Sequence, residues 1–523
     1  MAAGGGDRAL TGRILTLTAL FDRSLVGRRD RPAIEYSDAE GVRQTLSFGD
    51  VDERANRMAH ELAARGLTAG DRLCVQLPNG IAFLDLFLAC CRLGVIFVPV
   101  NVLYQERELR HIVRDAQPKA FVTAPDSHPV VPPGTETWEM NALAEVARAR
   151  GARRPVAQLE ESSPAVIIYT SGTTGVAKGA VLSHGNLVAN GLNVVGAWRI
   201  TDADRYLAVL PLFHVHGLGN GVHAWLISGC LMRLVERFDH RRAAELLADF
   251  RPTLVFGVPT IYQRLVDPTV VPDEAAREIG AAARLFVSGS APLPAHLHEA
   301  FRLRYGHTIL ERYGMTEALM ITTNPYAGER RAGTVGLPFA GVWVRFVSDE
   351  GDPVADGEVG EVQVKSPSVF ADYWRNPAAT DAAFRDGWFR TGDLGVRSKD
   401  GYITLRGRRG DLIISGGFNI YPREIEEVLL EEPLVREAAV VGVPDALRGE
   451  VPVAYVVTEG EVDSVRLDAR CRRELASFKV PRAFIRIDAL PRTALGKVQK
   501  HLLPAWRADG GVSSGVRESG EDG

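Results

Sequence analysis

Residues 165–182 constrain the fold more than any other stretch. An apolar, β-branched run from Ala165 to Tyr169 and a second apolar run from Gly179 to Leu182 flank the segment YTSGTTGVAKG at 169–179. Short β-branched runs of this kind predict strands. The loop between them carries Thr170, Ser171, Gly172, Thr173, Thr174, Gly175 and Lys178. Glycines let backbone N–H groups turn inward, hydroxyls donate hydrogen bonds, and an ammonium supplies positive charge. That combination suits polyphosphate. The spacing is not that of a P-loop NTPase, which needs a hydroxyl directly after the lysine and a helix beyond it. A flexible Ser/Thr/Gly loop is the plain alternative, and a lysine held between two buried strands argues against it.

A chain of 523 residues is too long for one core and predicts two or more domains. Charges of both signs are mixed, with a net charge of −4, which gives no footprint for nucleic acid. The five cysteines, Cys74, Cys90, Cys91, Cys230 and Cys471, are few and odd in number, a reduced, cytoplasmic pattern without a disulfide framework. No stretch reaches the ~18–20 apolar residues of a membrane span. The longest candidate, Ile81 to Leu93, is interrupted by Asp85 and Arg92.

Taken in order, residues 1–19 read as a flexible N-terminus. Ser47 to Asp50 reads as a helix start, with Val51, Ala55, Met58, Ala59 and Leu62 at helical spacing. Strand and helix patterns then alternate through Thr123 and resume after the hydroxyl-rich loop, which predicts an α/β fold with largely parallel sheets. Ligands gather at the carboxyl ends of strands in such folds, and three turns are expected there: 256–260, 287–292 and 312–317. From about Gly341 short alternating runs predict a β-rich subdomain. Past Arg408 a small α+β unit of about 100 residues is expected. The division is thus 20–408 and 409–507, with 508–523 a disordered tail.

Several constellations carry chemistry. Asp393, at a glycine turn, can accept from both hydroxyls of a ribose. Tyr313 can stack on a base, and Glu317 can hold Mg²⁺, which takes one or two carboxylates beside phosphate oxygens. A helix N-terminus capped by Thr316 and Glu317 is compatible with both roles. His214 and His216 would share a face of an extended segment. With His223 they complete no familiar zinc spacing and suit a pocket wall better. Lys497 alone reads as a surface lysine.

The loop closely resembles the phosphate loop of the AMP-forming adenylate ligases, which include acyl-CoA synthetases, and similar motifs continue in that family's order over about residues 20–507. The segments concerned are 169–179, 210–214, 288–292, 311–317, Asp393, Arg408, 415–425 and Lys497. The resemblance implies a large adenylating domain with a small mobile C-terminal domain. It implies catalytic roles for Lys497, Lys178, Thr174, Glu317 and His214. The ATP site would comprise Thr170, Ser171, Gly172, Thr173, Thr174, Gly175, Lys178, Ser290, Ala291, Pro292, Glu311, Tyr313, Gly314, Thr316, Asp393 and Arg408, with Mg²⁺ at Glu317 and Thr174. An acyl pocket would involve His214, His216, Ser288, Arg312, Met315 and Gly336. Ser415, Gly416, Gly417 and Phe418 would line a CoA tunnel. Gly410 stands where the family usually has Lys or Asp at its hinge.

The implied reaction has two steps: a small carboxylic acid attacks the α-phosphorus of ATP, and the CoA thiol then captures the acyl group. The motifs look most like malonyl-CoA synthetases, which take malonate or methylmalonate. Arg312 would then meet the second carboxylate, the alternative being an ion pair with Glu311, Glu317 or another acid. Fatty-acid or aryl-acid CoA ligases, and adenylating enzymes that deliver to a carrier protein, an amine or another small nucleophile, stay open as readings. No oligomeric state is assigned.

Overall fold

The structure is a computed structural model that describes residues 15–38, 41–125, 127, 129, 131–171, 177–416, 418–445, 447–493, 496–506 and the backbone of 512–513. Two sheets of mainly parallel strands organise the large N-terminal domain. The first has seven strands in the order Asp372–Tyr373, Ala177–Ser183, Pro164–Ser171, Ile96–Pro99, Arg72–Gln76, Ala120–Thr123 and Glu136–Glu139. The second has nine, in the order Leu337–Pro338, Leu319–Thr323, Leu310–Met315, Leu285–Ser288, Leu254–Gly257, Arg205–Ala208, Leu231–Leu234, Pro32–Ser37 and Arg43–Ser47. In each sheet the interior pairs are parallel, and antiparallel pairs occur only toward the edges that carry the hairpins. The phosphate-type loop joins one such hairpin, with Ile167 opposite Val181 and Thr170 opposite Lys178.

Local sequence explains the helices that flank these sheets. Ser47 caps the helix Phe48–Ala64: its hydroxyl accepts the Asp50 N–H at 3.1 Å, and Asp50 accepts the Ser47 N–H at 2.8 Å. Ser183 and Asn186 repeat the device at the helix His184–Ala197. The helix Ile81–Leu93 is buried nearly all round, and the charges that interrupt it are paired. Asp85 meets Arg54 at 2.6 Å, and Arg92 meets Asp52 at 2.6 Å. Such partners are what a buried charge requires.

An antiparallel sheet of five strands follows, built from Trp343–Val347, Gly360–Lys365, Phe384–Arg385, Trp388–Arg397 and Ile403–Arg408. It shares one continuous core with both large sheets. The C-terminal domain has its own sheet, Ile413–Ser415, Phe418–Ile420, Val435–Asp445, Gly449–Thr458 and Phe484–Arg486, covered by the helices Pro422–Leu430 and Ser464–Glu474. Its two clusters draw buried residues only from Ile413 onward.

Three expectations are corrected. The N-terminus is ordered earlier than residue 20: Thr16 caps a helix Leu17–Leu25, and Leu17 is fully buried. At the other end, Val512–Ser513 pairs with Ala505–Trp506, inside the expected tail. The segment 312–317 opens no helix. Its residues run as strand to Met315 and turn back into Leu319–Thr323, with Leu319 at φ +54°.

Candidate active site

The strand Leu310–Met315 supplies much of the site, and alternation decides what each side chain meets. Arg312 is 5% exposed, yet its Nε and Nη2 have no hydrogen-bond partner, and no carboxylate lies within ion-pairing distance among the described residues. The pairing with Glu311 or Glu317 is therefore not made. Burial draws the guanidinium down to about 9. Space for it comes from Gly289: a Cβ there would stand 2.4 Å from the Arg312 Cζ. Gly289 carried no signal of its own in the sequence and was not singled out.

Two further buried polar groups near this loop lack partners. Ser288, which ends the strand before Gly289, is fully buried, and its hydroxyl is unpaired. His216 is 2% exposed; its Nδ1 shares a 3.1 Å hydrogen bond with the Ser290 hydroxyl, and its Nε2 is unpaired. Burial and then the Arg312 charge hold His216 well below the usual histidine range, so it is neutral at pH 7. Ser290 sits at φ +70°, a strained conformation for serine that aims the loop at His216.

His214 and His216 do not share an extended face, which corrects the expectation. The chain turns after Pro211, and His216 opens a π-helix, His216–Val222, that runs into the helix His223–Ser228. Gly217 permits the turn: a Cβ there would lie 2.3 Å from the Pro211 carbonyl oxygen. A π-turn has no strong local signature, and functional sites are where such turns concentrate. His214 is half-buried against Phe213, and burial holds it at about 4. Met315, partly buried, pairs with Leu319. Gly336 bridges to Ile403 and packs on the backbone of Asn324 and of Thr323, the cross-strand partner of Arg312.

On the other face of the strand, the Tyr313 hydroxyl donates to Asp393 Oδ2, while Arg408 Nε meets Asp393 Oδ1 at 2.7 Å. The expected adenine, ribose and pre-hinge residues thus meet in one buried contact. Glu311 is buried, and its Oε1 accepts the Leu293 N–H at 3.1 Å, holding the end of the loop that carries Ser290, Ala291 and Pro292. Burial pushes its carboxyl up to about 7, with Arg423 of the C-terminal domain opposing. Gly314 is pressed on Leu319, where a Cβ would come within 2.1 Å of the carbonyl oxygen.

Glu317 lies beside the phosphate-type hairpin. Its Oε1 accepts the hydroxyls of Thr170 at 3.2 Å and Tyr373 at 3.0 Å, and its Oε2 accepts none among the described residues. Lys178 Nζ sits 4.7 Å from the centre of the Tyr373 ring. Thr316 falls in the hairpin turn beside Glu317. Gly172, Thr173, Thr174 and Gly175, the side chain of Ser171, and Gly417 lie outside the described residues.

The C-terminal domain closes over these groups. The Lys497 ammonium has Arg408, Asp393, Asp411 and Glu317 as its charged neighbours. Gly496, at φ +77°, brings that loop against Thr260; a Cβ on it would stand 3.1 Å from the threonine side chain. Gly410 is the middle residue of the 3₁₀ turn Arg409–Asp411, which the Arg409–Asp349 ion pair at 2.8 Å ties to the β-rich subdomain. Ser415 is buried, with its hydroxyl unpaired; Gly416 adopts φ +57°; and Phe418 is half exposed and stacks on Phe478. Among the described residues, no helix is long and apolar enough to cross a membrane.

Comparison with known proteins gives the family. The family described as AMP-binding enzyme matches residues 21–374, and its C-terminal domain matches residues 424–497. The chain is 38% identical over 501 residues to the sulfoacetate–CoA ligase of Cupriavidus necator, across 93% of this chain and 96% of that one. It is 32% identical over 535 residues to the long-chain-fatty-acid–CoA ligase of Bacillus subtilis, across 93% and 94%. The fold of ATP-bound MatB from Rhodopseudomonas palustris superposes with a TM-score of 0.85 and 37% identity, across 93% of this chain and 98% of that one. The chain belongs to the AMP-binding enzyme family and is an AMP-forming acid–CoA ligase.

Proposed function

We propose that this ligase activates a short acid that carries a second anionic group, with malonate or methylmalonate as its substrate and CoA as its acceptor. The observation that carries this reading is Arg312, buried without a carboxylate. An unpaired buried charge costs several kcal/mol, and its planar fork is suited to two hydrogen bonds with a carboxylate. His216, whose Nε2 is unpaired and which feels the Arg312 charge, offers a further polar group beside it. An uncharged fatty or aryl chain would leave both unsatisfied.

In this reading the far carboxylate rests on Arg312 and the near one faces the α-phosphate of ATP. Asp393 holds the ribose, the Tyr313 ring lies along adenine, and Arg408 fixes Asp393. Lys178 and Lys497 offset the charge that builds on the phosphates. Glu317 fits Mg²⁺, because two hydroxyls already orient one oxygen and leave the other open. A single carboxylate is enough for Mg²⁺ when phosphate oxygens complete the shell. Bound there, the metal would neutralise phosphate charge. After adenylation the C-terminal domain turns about Gly410, withdrawing Lys497 and presenting Ser415, Gly416 and Phe418 to CoA.

A second reading is sulfoacetate, the acid named for the C. necator relative. A sulfonate has three acceptor oxygens against two in a carboxylate, and the donors of Arg312 and His216 can serve either. The deciding experiment measures AMP release with malonate, methylmalonate, sulfoacetate, propionate, benzoate and a long-chain fatty acid, with and without CoA. Malonate or methylmalonate leading the panel supports the first reading, and sulfoacetate leading supports the second. Preference for propionate, benzoate or the fatty acid overturns both. Release that ignores CoA but responds to an amine or a carrier protein would replace the acceptor.

A further inference from the structure

We propose that Tyr373 is a positioning residue that keeps Lys178 and Glu317 apart and ready for the nucleotide, its ring holding the lysine and its hydroxyl holding the carboxylate. The inference rests on the reading of Glu317 as the metal carboxylate.

The position follows from the sheet. Tyr373 belongs to the two-residue edge strand Asp372–Tyr373, paired antiparallel with Ala177–Ser183 so that Tyr373 lies opposite Ala180. Its N–H donates to the Thr380 hydroxyl at 3.0 Å, and Phe370 packs edge-on at 4.7 Å. The Phe370 N–H donates to the Glu317 carbonyl at 2.8 Å, which ties the same short segment to the residue it orients. Tyr373 is 7% exposed, so its ring has little freedom to leave.

Two opposite charges that serve the same phosphates present a problem before the nucleotide arrives. Lys178 and Glu317 could neutralise each other, and the pair would have to be broken at each turnover in a partly dry cleft. The structure has no carboxylate within 4 Å of Lys178 among the described residues. Instead the ammonium lies over the Tyr373 ring at 4.7 Å, an attraction from the ring quadrupole that phosphate can outcompete. The same tyrosine donates to Glu317 Oε1 at 3.0 Å and so leaves Oε2 facing away from its donors.

The two halves of the side chain separate in experiment. Calorimetric titrations of ATP with Mg²⁺ and of ATP in excess chelator, together with Mn²⁺ binding followed by electron paramagnetic resonance, read them independently of turnover. Tyr373→Phe keeps the ring and loses the hydroxyl. It should weaken Mg-ATP and Mn²⁺ binding by about tenfold, as expected for one charge-assisted hydrogen bond, and change metal-free ATP binding by less than about twofold on the same scale. Tyr373→Leu loses both halves and should weaken metal-free ATP as well. Phenylalanine thus rescues one loss and not the other, which a merely structural tyrosine would not do. The inference is overturned if Tyr373→Phe binds Mg-ATP like the parent, or if the Phe and Leu variants are indistinguishable. Glu317→Gln separates the two levels. If it retains the full preference for Mg-ATP, the metal reading of Glu317 falls and the hydroxyl half of the proposal falls with it. If it loses the preference while Tyr373→Phe keeps it, only the role of Tyr373 falls.

Discussion

Arg312 concentrates the specificity argument in one guanidinium. Adjacent residues of a strand point to opposite faces, so Glu311 cannot serve as its partner, and Glu317 is held by Thr170 and Tyr373. Arg312→Ala should lower kcat/KM for malonate by at least about tenfold, the value of one charge-assisted contact, while propionate loses less. Arg312→Lys should fall between, because an ammonium supplies charge without the fork. Steady-state kinetics with the two acids checks this, and equal losses for both would make the arginine structural. The sequence showed the arginine and its acidic neighbours. It could not show that Gly289 leaves room for the guanidinium, since a glycine's unfilled Cβ position has no meaning until another chain segment lies over it.

Among the elements, capped helices and buried strands were the most legible. Ser47 with Asp50 and Ser183 with Asn186 satisfy local backbone groups, so the signal lies within four residues. The hairpin at 310–323 and the π-helix at 216–222 were not legible. The first depends on a leucine forced to positive φ by its partner strand, and the second on close contact between Gly217 and Pro211. The helix His223–Ser228 that follows carries a testable cost. His223 is fully buried between Phe21 and Phe87, and neither ring nitrogen has a partner. Burial, with His184 nearby, lowers it to about 3. Between pH 6.5 and about 3 the unfolded chain binds a proton that the folded chain refuses, so this residue removes stability as pH falls. His223→Phe should therefore stabilise the protein by about 1–3 kcal/mol near neutrality, and by more at pH 5 than at pH 8. Urea unfolding at the two pH values measures it; a gain that shrinks on acidification would contradict the assignment.

At the scale of the whole molecule, the passage from parallel sheets to a β-rich subdomain and then to a separate small core follows the change in sequence texture at 341 and beyond Arg408. What texture cannot encode is how the small domain sits, because that depends on contacts between residues far apart in the chain. Here the Lys497 loop rests on Thr260, Arg423 approaches Glu311, and Arg409 is paired with Asp349. In the proposed cycle this arrangement serves adenylation, and the second half-reaction uses another. Proline at Gly410 would push Arg409 out of the helical region it occupies in the 3₁₀ turn. Gly410→Pro should accordingly impair adenylate formation more than capture of preformed acyl-AMP by CoA; unchanged thioester synthesis would place the hinge elsewhere.

Lys497 gives the sharper test of rotation, since it removes a single charge and leaves the backbone alone. Its side chain stands among Arg408, Asp393, Asp411 and Glu317, where ribose, α-phosphate and metal would gather, with Gly496 resting on Thr260. Charge developing on the α-phosphate oxygens in the first step would lose one of its two lysines, and a preorganised cation of this kind is worth about 10²–10³ in rate. The thioester step also leaves charge on that phosphate as AMP departs, but in the proposed cycle it runs with the domain turned away, where Lys497 does not reach it. Lys497→Ala should therefore cut acid-dependent ATP–pyrophosphate exchange by about that factor and leave CoA capture of preformed acyl-AMP within about threefold of the parent, a difference of less than 1 kcal/mol. Equal loss of both steps in a folded variant would mean that one orientation serves the entire reaction.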